Sequence, residues 1–237
     1  PLDENRIADS KNRSNSLPGV DHIQNIEYLL MKYRVEIYYA NNSEAAIAEI
    51  AQNLPQLNGI EEDAARYGMA LGLLKNGQFV AASESLDDLL RKDPNRISYV
   101  MLQADIAREA GFFGRALEVL EDNLEINPNN NPLSMAYVQT LVETGRHADA
   151  AEFLERHTLN RPNDPELWFQ LAEIQGQAGN IDKVHQARGE YFITVGDFTR
   201  ARNQFSLALG LESDRLVRAK IQQRLDYIRD LENRFYR

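Results

Sequence analysis

The sequence contains no cysteine, which excludes disulfide bonds, thiolate metal sites and cysteine nucleophiles but leaves the redox compartment open. It also has no apolar run near the roughly 18 residues that a membrane-spanning helix needs. No signal peptide is visible. Because the chain begins at Pro1 without an initiator methionine, we expect it to be a piece of a longer protein. The missing targeting signal therefore excludes no compartment.

Residues that could support catalysis are scarce as well. Four histidines are present, and none lies in an HExxH pair or shares the i, i+4 spacing that places two metal ligands on one helix face. There is no nucleophile elbow and no phosphate-binding glycine loop. Carboxylates such as Asp87 and Asp88 fall on predicted helix surfaces, where solvated charge is the usual explanation. The sequence therefore predicts no catalytic residue, no metal site and no cofactor in this chain.

Basic charge is in deficit, since the net charge is −10 and the isoelectric point is near 5.0. A nucleic-acid partner would need a basic patch that displaces counterions, so this class of ligand is excluded. The charge is distributed unevenly along the chain, because the residues from Lys183 onward hold 11 basic and 7 acidic side chains. Such a block is suited to an acidic surface or anionic lipid. The alternative is a solvated helix face that is rich in arginine.

What the sequence does contain is a repeat with a period of 34 residues. Glycine, alanine and proline each recur at this spacing, and it is the spacing of the tetratricopeptide repeat (TPR), a helix–turn–helix unit that buries its apolar face by stacking on its neighbours. The glycine predicts the end of a first helix, and the proline stops the second helix. The positions are Gly77, Gly111, Gly145 and Gly179; Ala82, Ala116 and Ala150; and Pro94, Pro128 and Pro162. The predicted fold is an all-α superhelical solenoid.

The spacing divides the chain into an N-terminal arm or linker, residues 1–20, and a solenoid of about twelve helices, residues 21–237. Ser43 is the predicted N-cap of the second helix in the first, degenerate repeat. The arm is expected to arrive from an upstream domain. The solenoid comprises the degenerate repeat 27–62, regular repeats 63–96, 97–130 and 131–164, an irregular segment 165–211 and a capping helix 214–235.

The irregular segment contains a half-repeat phase slip near residues 179–198. Gly196 follows Gly179 after only 17 residues and, with Asp197 and Phe198, repeats the turn at the end of a first helix. The helix between them is therefore expected to serve as the second helix of one repeat and the first helix of the next. A slip of this kind should bend the superhelix.

A solenoid of this type presents a concave groove lined by its first helices, which predicts an interaction module with a protein or peptide ligand. The fifth, ninth and twelfth residues of each repeat should point into the groove. Methionine there would adapt to varied ligand shapes. The alternative is that the fifth-position side chains pack within the repeats. The candidate residues are Tyr67, Leu71, Met101, Asp105, Arg108, Met135, Gln139, Phe169 and Glu173, with Leu74 and Val142 at the remaining twelfth positions.

One kind of TPR ligand is excluded. Grooves that clamp a C-terminal carboxylate use lysine and asparagine at the fifth and ninth positions, and neither residue occupies those positions here. Recognition of chaperone tails is therefore not expected.

Both ends of the chain carry a more specific resemblance. The opening PLDENRIADSKNRSN, residues 1–15, resembles the segment that follows the peptidase domain in bacterial periplasmic zinc metallopeptidases with TPR tails. The stretch QARGEYFITVGDFTRARNQFSLAL, residues 186–209, is similar to their distal repeat. The matching residues there are Ala187, Arg188, Glu190, Tyr191, Gly196, Asp197, Ala201, Phe205 and Ala208.

The resemblance implies the TPR tail of a periplasmic zinc metallopeptidase or chaperone that acts in quality control of outer-membrane β-barrel proteins. The family's zinc site, an HExxH helix and a downstream glutamate, would lie in a peptidase domain outside this chain, and no catalytic residue carries over. The implied partners are outer-membrane β-barrel precursors or their assembly machinery. Residues from Lys183 onward are candidates for docking on the peptidase domain. The alternative is a stand-alone scaffold or oligomerisation adaptor, and an upstream HExxH helix would decide against it.

Overall fold

A computed structural model of the chain describes residues 11–13 and 25–235. Residues 11–13 are helical, and the rest of the predicted arm lies outside the described residues. No strand occurs in the described part of the chain. Between residues 25 and 235 the chain forms twelve α-helices: α1 Ile26–Tyr39, α2 Ser43–Asn53, α3 Gly59–Lys75, α4 Phe79–Lys92, α5 Ile97–Glu109, α6 Phe113–Ile126, α7 Asn131–Glu143, α8 His147–Asn160, α9 Pro165–Gln177, α10 Ile181–Thr194, α11 Phe198–Leu211 and α12 Arg215–Phe235. A single 3₁₀ turn, Leu54–Gln56, follows α2.

The turns between paired helices have the geometry that the glycine spacing predicts. Gly77 adopts φ 71°, a left-handed conformation that costs glycine little. The Gly77 amide donates to the Leu74 carbonyl, and the Gln78 amide donates to the Leu73 carbonyl, both at 2.9 Å. This pair of hydrogen bonds is a Schellman motif, which satisfies backbone carbonyl groups at the end of α3. The same left-handed conformation recurs at Gly111, Gly145, Gly179 and Gly196.

The start of the solenoid differs from a regular repeat. The N-cap of α2 is Asn42, whose side chain accepts from the Ala45 amide at 3.1 Å, so the assignment of the cap to Ser43 was wrong. Helix α1 packs chiefly against α3 rather than against α2. Two glycines of α3 make this close approach feasible, because a Cβ at Gly68 would lie 2.5 Å from Tyr33 Cδ1 and one at Gly72 would lie 2.6 Å from Ile47 Cγ1. Both α1 and α2 are therefore seated on α3.

The solenoid buries its apolar residues in a series of clusters and not in one core. The first cluster is centred on Tyr67 and Tyr99, and the last joins α11 to α12 through Phe205 and Ile221. In the irregular segment α10 packs extensively against both α9 and α11. It therefore acts as the partner helix of two consecutive units, as the phase slip predicts. Gly189 of α10 lies directly against the Phe205 ring of α11.

Candidate interaction groove

The first helices α3, α5, α7 and α9 carry the predicted groove residues. Helix α5 contacts both α3 and α7, which continues one face of the solenoid across these repeats. Leu71, Met101, Asp105, Arg108 and Met135 are partly buried on this face. Three of the candidates are exposed, namely Gln139, Phe169 and Glu173.

Tyr67 requires a correction, because its side chain is fully buried. Arg34 of α1 donates to the Tyr67 hydroxyl from Nε at 3.2 Å. The Tyr67 ring also lies 5.9 Å from the ring of Tyr99. Burial raises the pKa of the Tyr67 hydroxyl, and the nearby Arg34 charge opposes this shift. Tyr67 is thus a buried contact of α1, and it also lines a small cavity beside α1.

Helix α1 takes the place that Tyr67 was expected to occupy at the start of the groove. A cavity of about 190 Å³ lies beside α1, and it is smaller than the roughly 300–1,000 Å³ of typical ligand pockets. Its walls bring Met31 and Arg34 of α1 together with Met101 of α5 and Pro132 of α7. An ion pair between Glu27 and Arg96 fixes α1 to the start of α5. Met31, which is largely exposed, therefore extends the predicted methionine surface by one helix.

A polar network crosses the middle of the groove from α5 to α7. Arg108 contacts Asp105 at 3.5 Å and Glu143 at 2.8 Å. Gln139 Nε2 donates to the same Glu143 carboxylate at 2.9 Å. Burial raises the pKa of Asp105, and the Arg108 charge opposes this shift. The structure thus joins three predicted residues to each other and adds Glu143.

The distal end of the groove is marked by an aromatic contact. The ring of Phe169 on α9 lies 6.0 Å from the ring of Tyr191 on α10, and 46% of Phe169 is exposed. Because α10 begins the slipped unit, this contact joins the groove to that unit. Met135 packs against a buried cluster that extends from α6 to α10.

Sequence reasoning did not find Arg34, Met31 or Glu143. Arg34 and Met31 lie on α1, which was assigned to the degenerate repeat 27–62, and the sequence of α1 carries no signal for its docking on α3. Glu143 had a usable signal, since it lies four residues after Gln139 and therefore on the same helix face.

The described residues contain no cluster of three or more histidine, aspartate or glutamate side chains arranged for a metal ion. No helix in the described ranges has the length and apolar character of a membrane span. The arrangement is a surface of exposed apolar side chains and paired charges, which is suited to holding another polypeptide.

Models of the tetratricopeptide repeat match residues 67–131 and 107–173. A solved tetratricopeptide repeat protein from Parabacteroides merdae shares the fold, with a TM-score of 0.50 at 13% identity over 88% of this chain and 86% of that one. The chain is a TPR solenoid, and TPR solenoids are protein-interaction modules.

More specific similarity extends over almost the whole chain. It is 28% identical over 243 residues to the beta-barrel assembly-enhancing protease of Yersinia pestis, and 26% identical over 236 residues to that of Escherichia coli K12. Each comparison covers 99% of this chain but only 49% and 48% of the respective relative. The chain thus spans about half the length of these curated relatives, and it is homologous to their C-terminal TPR region.

Proposed function

We propose that this chain is the partner-recruiting region of a periplasmic zinc metallopeptidase or chaperone, and that it binds outer-membrane β-barrel precursors or their assembly machinery for quality control. The observation that carries the proposal is the homology over 99% of the chain to proteins named beta-barrel assembly-enhancing proteases. Zinc would be held by the peptidase region of the longer protein.

The concave groove is the proposed site of partner binding. Its exposed Phe169 and partly buried Met101 and Met135 offer apolar contacts, while Gln139 and Glu173 offer polar ones. An extended or helical segment with apolar anchors would match this combination. Methionine side chains are flexible and polarizable, so the groove is suited to partners with varied sequences.

The experiment compares binding of the purified chain and of a Met101→Glu, Met135→Glu double variant to an unfolded outer-membrane β-barrel protein and to its assembly complex. We expect the double variant to bind at least about tenfold more weakly, because charged groups would be buried against apolar anchors. The matched control is Val80→Glu with Phe112→Glu, which changes two exposed apolar residues on the second-helix side. Circular dichroism would check that both variants remain helical.

Equal binding by the groove variant and the control variant would contradict the groove assignment. A Phe169→Ala variant gives an independent check, because this exposed ring can be removed without opening the core. If the unaltered chain binds neither partner, the proposed function itself fails.

A further inference from the structure

A second concave site lies at the phase slip, and we call it the distal cleft. It measures about 300 Å³ and is formed by residues of α8, α9, α10, α11 and α12. Leu171, Ala187, Phe205 and Ile221 provide an apolar floor. Leu159 stands at the edge of the cleft with 73% of its surface exposed. The volume is at the lower end of the range for ligand pockets, about 300–1,000 Å³, so it has room for a side chain and not for a folded domain.

The distal cleft opens on the opposite face of the solenoid from the concave groove. Helix α9 contributes to both sites, with Phe169 and Glu173 in the groove and Trp168, Leu171 and Gln175 in the cleft. At 3.6 residues per turn these two sets point about 150° apart around the helix. The groove and the cleft are therefore separate surfaces.

The phase slip accounts for the cleft. In the regular repeats the second helices, α4, α6 and α8, form the row behind the first helices. Helix α10 is the second helix of one unit and the first helix of the next, since it packs against both α9 and α11. First helices line concave surfaces in this type of solenoid. Because α10 also serves as a first helix, the row of second helices becomes concave at α10.

Charge on the distal cleft is only partly compensated. Lys183 pairs with Glu155 at 3.0 Å, and Arg224 pairs with Glu190. Lys220 is exposed and has no ion pair or hydrogen bond within residues 25–235. Lys220 therefore offers an uncompensated positive charge beside a cleft whose floor is apolar.

We propose that the distal cleft binds an acidic peptide segment of a partner protein through one large apolar side chain. That side chain would lie on the floor formed by Leu171, Phe205 and Ile221. A neighbouring carboxylate would pair with the exposed Lys220 at the cleft. The partner is assigned an acidic character because the residues from Lys183 onward carry 11 basic and 7 acidic side chains, in contrast to the acidic remainder of the chain.

The test uses the single tryptophan of the chain, Trp168, as a fluorescent reporter in the wall of the cleft. The probe is an extended acidic peptide of aspartate and glutamate with one central phenylalanine. Two further peptides carry alanine in place of phenylalanine, or lysine in place of every acid. We expect a saturable change in Trp168 emission with the first peptide and none with the other two.

The informative variant is Lys220→Glu, which we expect to weaken binding of the acidic peptide by about fivefold or more. The matched control is Arg188→Glu, which makes the same charge change on the far side of α10 and should alter binding by less than about twofold. The Met101→Glu, Met135→Glu variant should bind the peptide as well as the unaltered chain does. This last result separates the cleft from the proposed groove function.

Three results would overturn the proposal. They are no saturable change with the acidic phenylalanine peptide, equal binding of the alanine or lysine peptide, and equal weakening by Lys220→Glu and Arg188→Glu. Sedimentation velocity without peptide tests whether a second copy fills the cleft instead. A dimer that Lys220→Glu dissociates would assign the cleft to self-association and also overturn the peptide assignment.

Discussion

At the scale of single residues, glycine has two separate roles in this chain. Gly77 and its equivalents adopt left-handed turns, and their regular spacing reveals them in the sequence. Gly68, Gly72 and Gly189 are helical, and each one admits a side chain from another helix. Their role could not be predicted from sequence, because nothing local identifies the side chain that fills the space.

Substitution of Gly189 by alanine tests the packing role. A Cβ at this position would overlap the Phe205 ring, so we expect the free energy of unfolding to fall by about 1–3 kcal/mol. The control is Gly210→Ala in α11, where no neighbouring atom lies within 4 Å and alanine should stabilise the helix by about 0.5 kcal/mol. Urea denaturation followed by circular dichroism measures both. Equal effects of the two substitutions would contradict the packing role.

At the scale of elements, α1 is the helix whose placement the sequence did not predict. The degenerate repeat 27–62 was expected to begin with a helix, and α1 spans Ile26–Tyr39. The site candidate Tyr67 was misplaced because α1 covers it. This packing depends on Arg34 and Tyr33 of α1 and on the glycines of α3. The end of α1 is also secured from α3, since Lys75 Nζ donates to the carbonyl oxygens of Ile37, Tyr38 and Ala40 at 2.8, 3.0 and 3.1 Å.

We expect Lys75→Met to loosen α1 without unfolding the solenoid. The substitution removes a cation and its hydrogen bonds from the C-terminal end of α1, a loss of about 1 kcal/mol. Amide hydrogen exchange in α1 should then be about fivefold faster. Lys32→Met is the control on α1, because its exposed pair with Glu36 at 3.7 Å contributes only about 0.3 kcal/mol. Unchanged exchange in the Lys75 variant would show that α1 is held by its apolar contacts alone.

At the scale of the whole molecule, stability is divided among neighbouring units. The cluster that contains Tyr67 and Tyr99 shares no residue with the cluster that contains Phe205 and Ile221. In a solenoid each unit depends on its immediate neighbours, so damage to one end should remain local. The same division allows one end to form the concave groove and the other to form the distal cleft.

Phe205→Ala tests this division. Only 2% of Phe205 is exposed, so the substitution should lower the free energy of unfolding by about 3–5 kcal/mol. We expect hydrogen-exchange protection to fall in α10, α11 and α12 and to stay unchanged in α3, α4 and α5. A uniform fall across all helices would indicate a single cooperative unit and contradict the prediction.

The sequence by itself determined the helices, their turns and the existence of the phase slip, because these follow from local conformational preferences and a repeated spacing. It also predicts groove residues on α5, α7 and α9, since the register of one repeat transfers to the next. Only the tertiary structure decided that α1 is seated on α3, that Tyr67 is buried, and that the slip creates a cleft on the opposite face. These features depend on packing between helices that are distant in sequence, and that packing is set by which side chains fill the space left by particular glycines.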